Sequence, residues 1–142
     1  MNQKRSKTAI QEQMKAKGLR ITPQRFAVYG NLLQREDHPT VEEILVEINR
    51  TLPIASKASV YSALTVLRKV NLVREVLLDE GVTRYDANVK PHHHFVCRQC
   101  GAIRDLDWEI FANLSQTQLP QGFWADSYEV TVKGVCDRCS EN

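Results

Sequence analysis

The segment SKASVYSALTVLRKVNLVREVLLDEGVTRYDA, residues 56–87, joins a capped helix to a pair of extended runs and decides the fold of the first part of the chain. Ser56 is a typical N-cap, and Val60, Leu64 and Leu67 recur at the spacing of one buried helix face. Most of the other positions of this helix are polar or basic. The pattern predicts a helix with one face in a core and one face exposed.

Two extended runs, Leu72–Leu78 and Val82–Ala87, follow this helix and are joined by Asp79-Glu80-Gly81, which predicts a β-hairpin with a glycine-bearing turn. Apolar periodicity and capping signals predict three earlier helices: residues 8–17, the helix after Thr22-Pro23, and the helix that begins with the capping box Thr40-Val-Glu-Glu43. Short helices followed by a hairpin predict a winged helix-turn-helix, in which the polar face of the last helix enters the major groove of DNA. The alternative is an ordinary helical domain whose polar helix faces only water.

Charge is distributed unevenly along the chain, although the formal net charge is only +2. Residues 1–35 hold eight Lys and Arg against one acidic residue, residues 1–87 carry a net charge of +4, and residues 88–142 carry −2. A basic first part predicts contact with a polyanion, and the alternative is a solvated basic surface. No apolar stretch approaches the ~20 residues that span a bilayer, and no secretory signal is visible, so we expect a cytoplasmic protein with no membrane partner.

Residues 88–142 are expected to form a second, small domain after a hinge at Asn88-Val-Lys-Pro91, so the predicted domains are 1–87 and 88–142. The pattern predicts, in order, a strand over His92–Cys97, a strand over Ala102–Asp107, a helix over Trp108–Leu119 capped by Asp107, and a strand over Ser127–Val135. The predicted fold class is therefore α+β. A domain of this size is marginal by apolar burial alone, and a metal or a dimer interface is the usual remedy.

The four cysteines form two pairs, Cys97-Arg-Gln-Cys100 and Cys136-Asp-Arg-Cys139, and no cysteine is left over. Two C-x-x-C knuckles predict four thiolates around a tetrahedral Zn(II), which would join the two ends of the second domain. Gly101, directly after the first knuckle, fits a turn that needs a positive φ. The alternatives are two redox pairs or buried thiols. Because a closed four-thiolate site has no open position for a substrate, the predicted role is structural and not catalytic.

Three of the four histidines are consecutive, His92, His93 and His94, at the start of a predicted strand. Side chains alternate along a strand, so His92 and His94 should point to one face and His93 to the face that carries the first cysteine. Asp86 and Asp105 are carboxylates that could join the His92/His94 pair. Imidazoles with one or two carboxylates favour Fe(II), Mn(II), Ni(II) or Zn(II). The alternative is a solvated histidine run.

A set of motifs along the chain resembles the Fur family of metal-dependent transcription regulators, in the family's order and spacing over about residues 14–140. The motifs are Gly18-Leu-Arg-Ile-Thr-Pro-Gln-Arg25, His38-Pro-Thr, Ser59-Val-Tyr61, Arg84-Tyr-Asp86, His92-His-His94, the first C-x-x-C-G and Gly134-Val-Cys-Asp-Arg-Cys139. The resemblance implies an N-terminal winged-helix DNA-binding domain, a C-terminal α/β dimerisation domain, a homodimer and a regulatory metal at their junction.

Within that family the chain looks most like the peroxide-sensing branch. The resemblance implies a regulatory Fe(II) site, with Mn(II) as the redox-inert substitute, at His38, Asp86, His92, His94 and Asp105. The iron-sensing branch usually has glutamates at the positions of the two aspartates, and the zinc-sensing branch often uses a cysteine. By the same resemblance, hydrogen peroxide should add one oxygen atom to His38 or His92. No further acid–base constellation is visible, so we expect a repressor and not a non-haem metal enzyme; an iron- or zinc-level sensor of the same fold is the main alternative.

The expected partner is double-stranded DNA, contacted by Arg20, Arg25, Lys57, Ser59, Tyr61 and Ser62. Tyr61, on the exposed face of the fourth helix, is expected at base edges. Arg20 matches the family's basic groove-contacting position, whereas Lys57 and Arg25 are expected at phosphates. Ser62 follows the tyrosine where the family often has arginine or asparagine, which bears on the operator sequence and not on DNA binding itself.

Overall fold

A computed structural model describes residues 6–53, 55–79, 81–114 and 119–140. The chain divides into two compact units, Met1–Val89 and Lys90–Asn142. Across the described ranges, no helix is both long enough and apolar enough to cross a membrane. The first unit is mainly helical and the second is built on a sheet, so the predicted α+β class is confirmed.

Four helices and a hairpin make up the N-terminal unit. The elements are α1 (Lys7–Ala16), α2 (Pro23–Leu33), α3 (Val41–Asn49), α4 (Lys57–Lys69), β1 (Arg74–Asp79) and β2 (Val82–Asp86). The predicted caps are present: the hydroxyl groups of Thr22, Thr40 and Ser56 each accept a hydrogen bond from the backbone N–H three residues later. These caps explain why α2, α3 and α4 begin where the sequence predicts.

The core of the N-terminal unit lies between α2, α3 and α4, which pack on one another, with α1 against α2. Its buried side chains are almost all aliphatic: Ile10, Met14, Val28, Tyr29, Leu32, Val41, Ile44, Ile48, Val60, Ala63, Leu64, Leu67, Leu72, Val73 and Tyr85. Full burial of one large aliphatic side chain contributes ~1.5–3 kcal/mol. This unit is therefore held together mainly by apolar burial.

The hairpin β1–β2 is antiparallel, with Arg74 opposite Asp86 and Glu75 opposite Tyr85. Gly81 adopts φ 72° in its turn, as the sequence predicts. Tyr85 is 3% exposed and belongs to the helical core, so the hairpin is anchored at its base. Helices followed by an anchored hairpin confirm the predicted winged helix-turn-helix.

The C-terminal unit is built around β3 (His93–Cys97), the central strand of a three-stranded sheet. The other elements are β4 (Ile103–Leu106), a 3-10 helix (Trp108–Phe111), β5 (Thr131–Gly134) and the short α5 (Asp137–Ser140). β3 pairs antiparallel with β4 and parallel with β5. The parallel pairing brings the second cysteine knuckle, directly after β5, next to the end of β3.

The predicted helix over Trp108–Leu119 is wrong. Among the described residues of this range, only Trp108–Phe111 is helical, in the tighter 3-10 form, and the side chain of Asp107 makes no cap hydrogen bond. A longer helix would need the carbonyl of Phe111 for an N–H four residues on. That carbonyl instead accepts from the hydroxyl of Tyr128 at 2.7 Å and from the N–H of Leu114 at 3.1 Å. Residues 115–118 of the predicted helix lie outside the described part of the chain.

The strand predicted over Ser127–Val135 is shorter than expected, since β5 covers only Thr131–Gly134. Tyr128 lies before it, where its ring packs against other aromatic side chains. The first residues of the predicted strand therefore lie before β5, and Tyr128 among them packs against other rings.

Candidate metal centres

The four cysteines come together in the C-terminal unit, with all four sulfur atoms within 4.8 Å of one another. The Sγ atoms of Cys100 and Cys136 are 3.7 Å apart. Two thiolates bound to one tetrahedral zinc at ~2.3 Å lie ~3.8 Å apart, so this spacing fits Zn(II). Gly101 adopts φ 75° directly after the first knuckle, as predicted. The arrangement fits a closed structural site.

Backbone N–H groups stabilise the thiolate form of one cysteine in this cluster. Hydrogen bonds from the N–H groups of Cys100 and then Cys136 lower the pKa of Cys97 to about 6. The opposite holds for Cys139, whose hydrogen bond to Cys136 and whose burial raise its pKa to about 12. Four thiolates this close therefore need a bound cation, and a divalent ion fits the chemistry of the donor set.

A second group of donors lies elsewhere on the same unit. The Nε2 atoms of His92 and His94 lie 3.4 Å and 3.6 Å from Oδ1 of Asp105. Two donors bound to one first-row ion at ~2.1 Å lie ~3.0–3.4 Å apart, so these distances are close to those of a bound ion. His92 and His94 therefore point to one side of the strand, and this part of the predicted alternation is confirmed.

The other ring nitrogens of these two histidines face different groups. Nδ1 of His92 is hydrogen-bonded to the carbonyl of Lys90 at 2.6 Å. Nδ1 of His94 lies 3.1 Å from Oε1 of Glu129. In both rings Nε2 is thus the nitrogen on the side of Asp105. The sequence analysis did not identify Glu129, because the pattern of the last predicted strand does not show which strand lies beside it.

His93 points away from this group and is 0% exposed. Its Nδ1 accepts a hydrogen bond from the backbone N–H of Val130 at 3.0 Å. The rings of Trp108, Phe111 and Tyr128 lie 4.8, 5.1 and 5.8 Å from the His93 ring, centroid to centroid. Aromatic packing occupies His93, which confirms its predicted exclusion from the His92/His94 pair.

The N-terminal unit contributes its own histidine–carboxylate pair. Nε2 of His38 lies 3.2 Å from Oδ2 of Asp86, again close to the spacing of two ligands on one ion. The other carboxylate oxygen of Asp86 accepts from the backbone N–H of Asn88 at 2.8 Å. This contact fixes the orientation of the carboxylate.

The backbone at His38 is unusual, with φ 53°, a region that a non-glycine residue rarely adopts. The Arg84 guanidinium donates to the His38 carbonyl at 3.1 Å, and the Tyr85 N–H donates to the Pro39 carbonyl at 3.0 Å. β2 therefore holds the His38 segment by its main chain. Sequence reasoning did not identify Arg84 in this role.

The predicted DNA contacts lie on the helices of the N-terminal unit. Tyr61 is 45% exposed on α4, and Ser62 beside it is exposed. The Lys57 ammonium forms an ion pair with Glu42 at 2.7 Å, which raises the pKa of Lys57. This pairing joins the start of α4 to α3.

The remaining predicted contacts lie around α2 and the start of α4. Nη1 of Arg25 donates to the carbonyl of Arg20 at 2.9 Å, so these two arginines are neighbours. Ser59 is half-buried, and its hydroxyl donates to the carbonyl of Ser56. It therefore takes part in the capping box of α4.

Comparison with known proteins identifies the family. The profile of the ferric uptake regulator family matches residues 16–133, most of the chain. The chain belongs to the ferric uptake regulator family. This finding and the fold together confirm the family resemblance that the sequence motifs indicate.

Similar proteins include regulators named for peroxide and a regulator named for ferric iron uptake. The peroxide-responsive repressor PerR of Staphylococcus epidermidis is 32% identical over 125 residues, which covers 87% of this chain and 83% of that protein. The ferric uptake regulator of Helicobacter pylori, whose structure has three functional metal-binding sites, matches with a TM-score of 0.78 and 26% identity over 100% of this chain and 99% of that one. The peroxide stress regulator of Campylobacter jejuni matches with a TM-score of 0.65 and 27% identity, over 93% and 97%.

Proposed function

We propose that this Fur-family protein is a metal-dependent DNA-binding repressor in the cytoplasm that senses hydrogen peroxide. The observation that carries the proposal is the donor set: two histidines facing one aspartate in the C-terminal unit, and one histidine facing one aspartate in the N-terminal unit. Every carboxylate in these two groups is an aspartate. Similarity to peroxide-responsive repressors at 31–32% identity agrees with this choice.

The proposed regulatory ion, Fe(II) or Mn(II), is bound by both groups together, through His38, Asp86, His92, His94 and Asp105. Imidazole and carboxylate donors suit such first-row ions. An ion bound by residues of both units would favour one orientation of the DNA-binding unit over others, and it would act through its higher affinity for that orientation. Structural Zn(II) at Cys97, Cys100, Cys136 and Cys139 would hold the C-terminal unit together.

The N-terminal unit, residues 1–87 in the predicted division, is proposed to bind operator DNA. Its winged helix-turn-helix presents α4 with an exposed Tyr61, and residues 1–35 carry a net charge of +7. Lys57 would exchange its ion pair with Glu42 for a phosphate, and Arg25 would contact the backbone near Arg20.

The C-terminal unit, residues 88–142 in the predicted division, is proposed to form the homodimer. It exposes a number of large apolar side chains: Ile110 at 58%, Leu114 and Leu119 at 40%, Phe123 at 66% and Trp124 at 80%. Several large exposed apolar side chains within one short stretch of chain favour a surface that a partner covers. A dimer would present two recognition helices to successive turns of the major groove.

The proposed signal is the oxidation of a ligand histidine. Bound Fe(II) would supply one-electron cleavage of the peroxide, which Mn(II) supports poorly. One oxygen atom of hydrogen peroxide would be added to the imidazole of His38 or His92, and the other would leave as water. An oxidised imidazole is a poorer ligand, so the two units would lose their common ion and the protein would leave DNA.

The test uses duplexes selected from a random-sequence library by the Mn(II)-loaded protein. Fluorescence anisotropy then measures binding of the Fe(II) and Mn(II) forms, each with and without hydrogen peroxide. Peptide mass spectrometry follows the His38 and His92 peptides of the same samples. We expect DNA release and a gain of one oxygen atom only with Fe(II) and peroxide. Tyr61→Ala controls for sequence-specific binding, with an expected loss of about 1–3 kcal/mol.

Other outcomes point to the alternatives. Release on removal of iron or zinc, without histidine oxidation, would identify a metal-level sensor. Disulfide formation with intact histidines would identify a thiol switch. Turnover of a substrate without DNA binding would identify a metal enzyme.

A further inference from the structure

The carboxylate of Glu129 lies behind a proposed metal ligand, 3.1 Å from Nδ1 of His94. We propose that Glu129 is a positioning residue for the regulatory metal: when the ion is bound, the Glu129 carboxylate accepts a hydrogen bond from the Nδ1–H of His94 and so fixes the Nε2 lone pair on the side of Asp105. This inference rests on the proposed function, since it concerns the same site. It adds a residue outside the set of five ligands.

The direction of the His94 ring decides which nitrogen must carry the proton. Nε2 lies on the side of Asp105, at 3.6 Å from its Oδ1, so Nε2 is the nitrogen that can bind an ion there. A neutral imidazole has one N–H and one lone pair, so its proton must then be on Nδ1. A carboxylate beside Nδ1 stabilises that tautomer and makes the ring a stronger donor.

The main chain holds Glu129 in this place. The backbone N–H of His94 donates to the carbonyl of Val130 at 3.1 Å, and the N–H of Val130 donates to the ring of His93 at 3.0 Å. The residue after Glu129 is thus fixed to two successive residues of β3. The position beside His94 follows from the backbone, and the side chain needs only to keep one rotamer.

The second histidine of the group provides an internal comparison. Nδ1 of His92 faces a neutral acceptor, the carbonyl of Lys90, at 2.6 Å. In His94 the group in that place is a carboxylate, with Oε1 of Glu129 at 3.1 Å. The two histidines therefore differ in the acceptor that orients them, and loss of Glu129 should affect the His94 bond to the metal and leave the His92 bond in place.

The experiment measures Mn(II) binding to the zinc-loaded full chain, with free Mn(II) determined by electron paramagnetic resonance. We expect Glu129→Ala to weaken binding by about 10–100-fold, the usual effect of losing a partner of a ligand histidine. Glu129→Gln keeps an acceptor without the charge and should recover part of that loss. Glu109→Gln, an exposed glutamate on the 3-10 helix of the same unit, is the matched control and should bind like the wild type.

A second readout separates positioning from a merely structural role. In protein given a second equivalent of diamagnetic Zn(II), proton–nitrogen correlation spectra report the His94 Nδ1 proton. We expect a slowly exchanging proton in the wild type and in Glu129→Gln, and fast exchange in Glu129→Ala. An unchanged His94 signal in Glu129→Ala would overturn the inference.

Two further outcomes distinguish this inference from the proposed function. If His94→Ala binds Mn(II) as tightly as the wild type, the proposed ligand set fails. If His94→Ala loses binding while Glu129→Ala keeps it, only the positioning role fails. If Glu129→Ala loses its zinc, the comparison of Glu129→Gln with Glu109→Gln decides. Weaker Mn(II) binding by Glu129→Gln supports the positioning role of Glu129, and equal Mn(II) binding overturns it.

Discussion

The two units differ in the kinds of side chain that they bury. The N-terminal unit buries fifteen side chains in one cluster, nearly all of them aliphatic. In the described part of the C-terminal unit, the buried side chains are Cys97, Ile103, Cys136, His92, His93 and His94. Apart from Ile103, these are cysteines and histidines, whose side chains carry sulfur or ring nitrogens. The comparison therefore predicts that the first unit folds through apolar burial, whereas the second depends on bound ions and on the covering of its exposed apolar surface.

Loss of the zinc site should be the largest single effect. Structural zinc in small domains contributes ~10–16 kcal/mol of binding free energy, so Cys136→Ser should unfold the C-terminal unit and leave the N-terminal unit folded. Hydrogen exchange by mass spectrometry, with zinc analysis, measures both units in one sample. Ser140→Ala, in the short helix α5 that follows Cys136, is the control. Protected amides in β3 and β5 of zinc-free Cys136→Ser would contradict the comparison.

A cavity in the aliphatic core should have the converse effect. Leu67 is 0% exposed, and Leu67→Ala should destabilise the N-terminal unit by about 2–5 kcal/mol through lost burial and the cavity left behind. Zinc content and protection of the C-terminal unit should not change. Val46→Ala, at a position 61% exposed on α3, is the control. Equal loss of protection in both units would mean that they unfold as one.

His93 provides a sharper test of the C-terminal unit. His93→Phe keeps a ring among Trp108, Phe111 and Tyr128 but removes the acceptor for the N–H of Val130. A buried donor left without its partner costs about 1–3 kcal/mol, which denaturant unfolding of the zinc-loaded protein measures. Mn(II) affinity should change little, because the ring lies away from the His92/His94 pair. A loss of Mn(II) binding without loss of zinc would mean that His93 is a ligand.

The smallest effect is expected at the surface of the N-terminal unit. A hydrogen bond from Arg35, whose guanidinium lies 2.7 Å from the carboxylate, lowers the pKa of Asp37. Because the pKa of Asp37 is lower in the folded state, the ionised carboxylate stabilises the fold at pH values above the pKa of the unfolded state. This stabilisation is lost as the pH falls through the pKa of the folded state. Because the Asp37 side chain is 59% exposed, Asp37→Asn should cost at most about 1 kcal/mol at neutral pH.

That difference should shrink in acid and in high salt. Denaturant unfolding at neutral pH, near pH 3 and in 1 M salt measures it. Glu12→Gln, at an exposed position on α1, is the matched control. A difference that grows as pH falls would give the wrong sign for this ion pair.

The parts of the fold that depend on local signals could be predicted from the sequence. Thr22, Thr40 and Ser56 cap helices through backbone groups three residues away, and Gly81 and Gly101 take positive φ in their own turns. Such contacts depend only on neighbouring residues. The pairing of cysteine knuckles and the separation of His92 and His94 from His93 also follow from short spacing rules.

The parts that could not be predicted depend on residues far apart in the chain. The helix after Trp108 ends at Phe111, whose carbonyl accepts a hydrogen bond from the hydroxyl of the distant Tyr128. Glu129 reaches His94 because β5 runs parallel to β3, and a period-two pattern does not determine a strand's neighbour. The DNA contacts and the shared five-residue ion site remain predictions.

The alternation of side chains along β3 separates imidazole donors from sulfur donors. His94 points to the side of Asp105, and Cys97, three residues on, must point to the opposite side of the strand. The backbone of the sheet therefore lies between the imidazole donors and the sulfur donors, although they are neighbours in sequence. A short-lived oxidant produced beside His92 and His94 would meet imidazole carbon first and would have to pass around the sheet to meet sulfur. One strand thus carries an imidazole donor on one face and a sulfur donor on the other, with no additional domain needed to keep them apart.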